Sequence, residues 1–122
     1  MPRHPDKVSS YLPLRPVELE VLLSLSNGER HGYAILQEAE ARTGGGLMPG
    51  LVTFYRALRR MEGEGLIEES ELRPDGADDE RRRYYRITAL GRRVAAAEAR
   101  RMAALVRAAR ASNLIGDPEL AG

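Results

Sequence analysis

The stretch that decides the fold is LVTFYRALRRM, residues 51–61. Its large apolar residues Phe54, Leu58 and Met61 recur at spacings of four and three, which is the period of an α-helix with one buried face. A Pro-Gly pair precedes the stretch and two glycines follow it closely, so the helix is bounded on both sides. The sequence therefore predicts a short amphipathic helix whose second face is left to solvent.

Two further short helices are predicted upstream of this stretch. Pro16 opens the first, whose apolar residues keep a helical spacing until Asn27 and Gly28 supply a stop. The second starts after Gly32 and ends at the three glycines of residues 44–46. Three short helices thus follow one another along the first half of the chain.

Two strands and a long helix are predicted downstream. Residues 66–72 and 82–87 have the composition of strands, and the polar, breaker-rich stretch between them suits an exposed hairpin loop. Thr88 then offers an N-cap for a helix over residues 89–112. Three helices followed by a hairpin are the order of a winged helix-turn-helix, so we expect a mainly α fold of the α+β class.

Small and apolar side chains recur along one side of the last predicted helix at coiled-coil spacing. The domain before it is too small to cover a helix of that length. The simplest way to bury the rest of its apolar side is to pair it with the same helix of a second copy. We therefore expect a two-fold homodimer. Its interface is expected to contain Ala95, Ala99, Met102, Leu105, Val106 and Ala109.

Four segments are expected along the chain. Residues 1–13 contain prolines and polar side chains and are interpreted as a flexible N-terminal arm; residues 14–88 form the winged helix-turn-helix domain, residues 89–112 the dimerisation helix and residues 113–122 a tail. No apolar run approaches the ~20 residues that span a bilayer, and the start of the chain lacks the apolar region of a signal peptide. We expect a cytoplasmic protein without a membrane partner.

The charges of the chain are unevenly distributed. Across all 122 residues, 19 Lys and Arg almost cancel 18 Asp and Glu. Residues 1–80 contain 9 basic and 15 acidic side chains, a net charge of −6, whereas residues 81–122 contain 10 basic and 3 acidic ones, a net charge of +7. Such asymmetry indicates an anionic partner for one region. The absence of cysteine excludes disulfides, thiol nucleophiles and thiolate zinc sites.

The exposed face of the third predicted helix is the first candidate contact surface. At about 100° per residue, four polar side chains of this helix point to solvent, and residues 51–61 include no acid. Hydroxyl and guanidinium groups on such a face can enter the major groove, where Arg bonds guanine or phosphate. The alternative is an ordinary solvated helix face. The four residues are Thr53, Arg56, Arg59 and Arg60.

Two further candidate surfaces flank this helix. Arg81, Arg82 and Arg83 lie at the predicted hairpin tip, from which Arg reaches an adjacent minor groove or phosphates. Acidic residues next to them leave a self-paired polar loop as the alternative. Gly32 and Tyr33 open the second helix, whose free N–H groups and tyrosine hydroxyl suit a phosphate. There the alternative is that Tyr33 and the preceding histidine only pack the helix junction.

Signals of an enzyme are weak in this sequence. Gly45 and Gly50 have the spacing of a phosphate-binding loop, but Leu51 and Val52 follow where lysine and a hydroxyl residue are required. His31 is the one histidine within the predicted domain, and it has no recognisable triad partner. We expect no catalytic residue, no metal site and no cofactor.

Three pieces of the sequence occur in the order and spacing of a known family. They are HGYAI at residues 31–35, TFYRAL at 53–58 followed by Glu62 and by GLI at 65–67, and RYYRIT at 83–88 with Gly91. Together they resemble the PadR family of bacterial transcriptional regulators, in its short branch with one helix after the wing. The resemblance implies a winged helix, a homodimer through the C-terminal helix, and repression through a near-palindromic operator. It also implies a DNA contact by Tyr55, whereas the helical spacing places this residue at the edge of the buried face.

The expected function is that of a dimeric, sequence-specific repressor of transcription, with double-stranded DNA and a second copy of the chain as partners. The alternative is a winged-helix interaction module that docks an acidic protein through its Arg-rich second half. A small-molecule effector of unidentified class is left open. Because the chain contains no Trp, an aromatic ligand is not carried over from the family.

Overall fold

The three short helices and the long last helix predicted from the sequence are all present in the computed structural model of the chain, which describes residues 8–46, 48–71 and 83–116. In chain order the elements are a 3₁₀ helix Val8–Tyr11, α1 Pro16–Ser26, β1 Arg30–His31, α2 Gly32–Thr43, α3 Leu51–Gly63, β2 Ile67–Ser70, β3 Tyr84–Ile87 and α4 Ala89–Ala111. The winged-helix fold class is therefore confirmed, although both predicted strands are shorter than expected.

Local signals set the helix ends where the sequence placed them. Pro16 occupies the first position of α1, and the Glu18 carboxylate accepts a hydrogen bond of 2.9 Å from the N–H of Arg15 just before it. Gly44 follows α2 in the left-handed region with a φ of 74°, a conformation that glycine adopts without steric cost. Gly65 does the same between α3 and β2, with a φ of 81°. These abrupt ends let the short helices fold back on one another.

β3 is the central strand of a three-stranded antiparallel sheet in the order β1-β3-β2. Ile67 pairs with Ile87 and Ser70 with Tyr84 in the hairpin, while His31 pairs with Tyr84 on the other edge. β1 was not expected, because two residues are too few to show an alternating pattern. This short strand attaches the start of α2 directly to the hairpin.

A continuous apolar core lies between the short helices, the sheet and the first half of α4. Phe54, Leu58 and Met61 are fully buried in it, as their spacing predicted. Gly91 lets the start of α4 contact Leu66, the residue just before β2. A Cβ at position 91 would lie 2.1 Å from the Leu66 carbonyl oxygen. This close contact fixes where α4 leaves the domain.

The segment before α1 is packed, so the expected flexible arm is wrong for residues 8–13. Tyr11 is buried, and its hydroxyl donates a hydrogen bond of 3.2 Å to the Glu64 carbonyl oxygen. The Leu14 N–H donates a bond of 2.7 Å to the Glu98 carboxylate of α4. One buried aromatic ring therefore anchors a segment whose composition is otherwise that of a loop. The rest of the expected arm lies outside the described residues.

Glu98 is a fully buried carboxylate in a helix rich in arginine. Besides the Leu14 N–H, it binds the guanidinium group of Arg101, one turn further along α4. Arg101 lowers the pKa of Glu98 from its ordinary value, because a cation beside a carboxylate favours the charged form. The carboxylate thus ties the segment before α1 to the middle of α4.

The second half of α4 is uncovered in the part of the chain that the structure describes. Val94 and Glu98 are buried against the domain, but the large apolar side chains further along are open. The exposed fraction is 39% for Met102, 57% for Leu105 and 40% for Val106. α4 has 23 residues, which make about 35 Å of helix. Its distal half therefore extends beyond the core that covers its beginning.

Candidate nucleic-acid interface

Arg56 and Arg59 form a cationic stripe on the open face of α3, where the sequence analysis placed them. Both side chains are exposed, and neither has an ion-pair partner among the residues that the structure describes. The first turn of α3 contains no acid, and Gly50 precedes it without a side-chain cap. Two unneutralised guanidinium groups and the positive end of the helix dipole therefore face solvent together.

Thr53 and Arg60 lie beside a groove rather than on the open stripe. The groove has a volume of about 330 Å³ and runs between the start of α1, the connection from α2 to α3, and α3 itself. The Arg60 guanidinium lies 3.6 Å from the Glu18 carboxylate and 3.9 Å from the Glu64 carboxylate. These carboxylates partly neutralise Arg60, so it offers less free charge to a ligand than Arg56 does.

Tyr55 packs across the start of α2. Its ring is half-buried and lies edge-on to Phe54, with 5.7 Å between ring centroids. A Cβ at Gly32 would come within 2.7 Å of the Tyr55 ring, so the glycine allows α3 to approach α2 this closely. The structure thus brings two predicted site residues into contact, which their distance in sequence did not indicate.

His31 and Tyr33 differ in their roles at the start of α2. The His31 ring accepts a hydrogen bond of 3.2 Å from the Ala34 N–H and so caps the helix. It also lies edge-on to Tyr84, with 5.4 Å between ring centroids. His31 is therefore a packing residue, as one of the two interpretations of the sequence held. Tyr33 is exposed beside this cap, which leaves its side chain at the surface next to the helix start.

The wing arginines are described only in part. Arg81 and Arg82 lie outside the described residues, together with the expected hairpin tip. The Arg83 guanidinium lies 3.4 Å from the Glu69 carboxylate of β2. Arg86 of β3 donates a hydrogen bond of 2.7 Å to the Glu68 carboxylate of β2. Arginine–glutamate pairs thus join the two strands at the base of the wing. They neutralise part of the positive charge of residues 81–122 within the chain.

The residues expected at a dimer interface share one side of α4 but differ in exposure. Ala95 packs partly against the core of its own domain, and Ala109 is half-buried. The remaining members of the set are exposed: Ala99, Met102, Leu105 and Val106. These four residues form a continuous surface, named here the apolar face of α4.

The described ranges, 8–46, 48–71 and 83–116, contain neither a cluster of metal ligands nor a membrane-spanning helix. No group of three or more histidine, aspartate or glutamate side chains there is arranged to hold a metal ion. No helix in these ranges combines the length and the hydrophobicity that crossing a membrane requires.

A helix-turn-helix followed by a β-hairpin, with its third helix exposed, defines a winged-helix protein of the DNA-binding class. The sequence profile of the Transcriptional regulator PadR-like family matches residues 21–97. This match covers more than half of the chain, and the chain therefore belongs to the PadR-like family of transcriptional regulators. The proteins of this family are regulators rather than enzymes, and the resemblance found in the sequence is confirmed.

Individual proteins resemble the chain at lower identity. An uncharacterised protein of Lysinibacillus sphaericus is 35% identical over 72 residues, which are 59% of this chain and 64% of that protein. The match thus spans less than two thirds of the length of this relative. The solved structure of a PadR-like transcriptional regulator from Bacillus cereus strain ATCC 14579 has a TM-score of 0.64 at 24% identity and covers 83% of this chain and 93% of that chain.

A transcriptional regulator from Clostridium thermocellum gives a similar result. Its structure has a TM-score of 0.62 at 24% identity, over 84% of this chain and 90% of that chain. At such identities the two solved structures support the fold alone.

Proposed function

We propose that the chain is a homodimeric transcriptional repressor that binds a near-palindromic operator in double-stranded DNA. The observation that carries the proposal is the cationic stripe of α3, since Arg56 and Arg59 are exposed and, within the described ranges, unpaired. Arginines on an exposed helix of this fold bond guanine O6 and N7, or phosphates, in the major groove. α3 then acts as the recognition helix, with Thr53, Tyr55 and Arg60 along its edges.

Contacts on both sides of α3 would hold the duplex in register. Gly32, which is buried against the Tyr55 ring, would act by positioning the start of α2, and the exposed hydroxyl of Tyr33 at this helix start suits a phosphate. Arg81 and Arg82, with Arg83, would anchor the wing in the same way. Because the net charge of the chain is only +1, we expect modest non-specific affinity and recognition that depends on few arginines.

The apolar face of α4 would be covered by the same face of a second copy. A two-fold axis makes one surface its own partner, and binding to one operator requires that the axis place the two α3 helices on one side of the dimer. The half-sites of the operator should then lie about 10 base pairs apart, or a multiple of that distance. A dimer bound across a promoter in the cytoplasm blocks access to it, which is the simplest route to repression.

Fluorescence anisotropy titrations test the proposal. Duplexes selected from a random pool should bind the full chain about 10³-fold more tightly, or more, than unselected duplex at the same salt concentration. The selected sequences should be near-palindromic. Equal affinity for selected and unselected duplex would end the proposal, and a reporter gene placed behind the selected operator would show whether binding lowers expression.

Arg56→Ala should weaken operator binding by ~1–3 kcal/mol and relax the sequence preference at one position of each half-site, if Arg56 contacts a base. The matched control is Arg100→Ala, which removes an exposed arginine on α4 that has no ion-pair partner within the described ranges. This control should bind the operator like the unaltered chain. Identical losses in both variants would mean that Arg56 contributes only general charge.

Val106→Glu should convert the dimer into a monomer, because it places a charge in the apolar face of α4. Ala104→Glu is the matched control: it adds the same charge to an exposed position two residues away, which is about 160° round the helix. Sedimentation equilibrium should give twice the chain mass for the unaltered chain and for the control, and the chain mass for Val106→Glu. A dimeric Val106→Glu protein would contradict pairing through this face.

A further inference from the structure

Val52 is the more exposed of the two large apolar side chains that lie open on α3. It lies in the first turn, its exposed fraction is 67%, and it shares the solvent side of the helix with the cationic stripe. Spacings of four and seven residues separate it from Arg56 and Arg59, so the three side chains form one row along the helix. Phe54, by contrast, points into the core from the opposite side.

The stability of the isolated chain does not account for a valine at this position. Isolated exposed apolar residues are common on protein surfaces, but β-branched residues are poor helix formers. Helix first turns favour acidic residues, which complement the helix dipole, and the first turn of α3 contains none. Among the described residues, Val52 is not one of the apolar side chains that pack against the core.

The proposed placement of α3 in the major groove supplies an apolar partner for Val52. Among the base edges that this groove presents, the C5-methyl group of thymine is the apolar one. We propose that Val52 contacts the methyl group of a thymine in each half-site and so sets part of the operator sequence; this inference rests on the proposed function. Val52 is then a specificity-determining residue beside the arginines.

The geometry of the row limits where this thymine lies. Side chains four residues apart on a helix have Cβ atoms about 6 Å apart, and base pairs follow one another every ~3.4 Å along the duplex axis. The thymine contacted by Val52 should therefore lie within two base pairs of the base contacted by Arg56. An operator derived by selection should show a thymine preference at that distance.

Replacing single thymines by deoxyuridine tests the contact, because the exchange removes the methyl group and leaves the hydrogen-bonding edge intact. One half-site is altered at a time. At one thymine position the exchange should weaken the affinity of the full chain about fourfold, which corresponds to the free energy of burying one methyl group. Val52→Ala keeps only a Cβ, so at that position it should discriminate thymine from deoxyuridine by less than about twofold. Alanine is a strong helix former, so this variant keeps α3 intact.

Leu51→Ala is the matched control, since Leu51 is also an exposed apolar residue of the first turn, with an exposed fraction of 52%, but lies about 100° away round the helix. It should retain the fourfold effect of deoxyuridine. The inference about Val52 would be overturned if deoxyuridine had no effect at any thymine, or if its effect in Val52→Ala were as large as in the unaltered chain. Selective operator binding in the same experiment would leave the proposed function standing. A chain without selective DNA binding would overturn both.

Discussion

Replacing Gly91 with alanine should lower the free energy of unfolding by about 3 kcal/mol or more, which is a large part of the stability of a small domain. A Cβ at this position would lie 2.1 Å from the Leu66 carbonyl oxygen and 2.9 Å from a side-chain carbon of Ile87. The nearer atom belongs to the backbone, so no rotamer change relieves the clash. Denaturant unfolding followed by circular dichroism at a fixed protein concentration measures the effect.

Gly63→Ala is the control that this chain offers for Gly91. Gly63 is also a helical glycine, in the last turn of α3, and apart from its own helix backbone and chain neighbours a Cβ built on it would meet no atom of the described residues within 4 Å. Alanine is favoured over glycine inside a helix by up to ~1 kcal/mol, so Gly63→Ala should leave the stability unchanged or raise it. If Gly91→Ala were as stable as this control, the close contact between the start of α4 and Leu66 would not be needed for stability.

Glu98→Ala should cost about 2–4 kcal/mol of stability, because it leaves the buried Leu14 N–H without an acceptor and removes the partner of Arg101. Glu98→Gln keeps an acceptor oxygen for the Leu14 N–H and loses only the charge. We therefore expect Glu98→Gln to fall between the alanine variant and the unaltered chain. Denaturant unfolding again provides the measurement.

The control for Glu98 is an exposed glutamate. Glu40→Ala removes a glutamate from the surface of α2 and should change the stability by no more than ~0.5 kcal/mol. If Glu98→Ala were equally mild, the carboxylate would not hold the segment before α1 against α4. The Tyr11 hydroxyl bond to Glu64 would then be the contact that retains this segment.

The same carboxylate predicts a dependence of stability on pH. Arg101 holds the pKa of Glu98 below its ordinary value of 4.5, so the folded state binds this proton less readily than the unfolded state. The contribution of Glu98 is therefore complete above pH 4.5 and is lost as the pH falls through the lowered value. The difference in unfolding free energy between the unaltered chain and Glu98→Gln should be constant near neutral pH and shrink below pH 4.5.

The helices were predictable because their determinants are local. The spacing of Phe54, Leu58 and Met61 is a property of eleven consecutive residues, and the structure buries all three. Thr88 was expected as the N-cap of the last helix, and its hydroxyl accepts a hydrogen bond of 2.9 Å from the Gly91 N–H. Signals of this kind need no knowledge of the rest of the chain.

The features that the sequence did not indicate depend on distant partners. Leu14 and Glu98 are 84 residues apart, and a glutamate among arginines is ordinarily a surface residue. The composition of the segment around Tyr11 predicts a loop, and only the core that closes over the ring makes it an anchor. Likewise, no local pattern distinguishes Arg60, which faces two carboxylates, from Arg56, which faces none in the described ranges.

The central position of β3 has a mechanical consequence. This four-residue strand is bonded to β1 and β2, runs into Thr88 at the start of α4, and lies beside His31, the cap of α2. The long helix, the hairpin and the start of α2 are therefore all linked through this one strand. In the proposed dimer, a molecule that altered the crossing angle of the two α4 helices would displace the wing and the start of α2 together, so the DNA contacts proposed for both would be lost in a single movement.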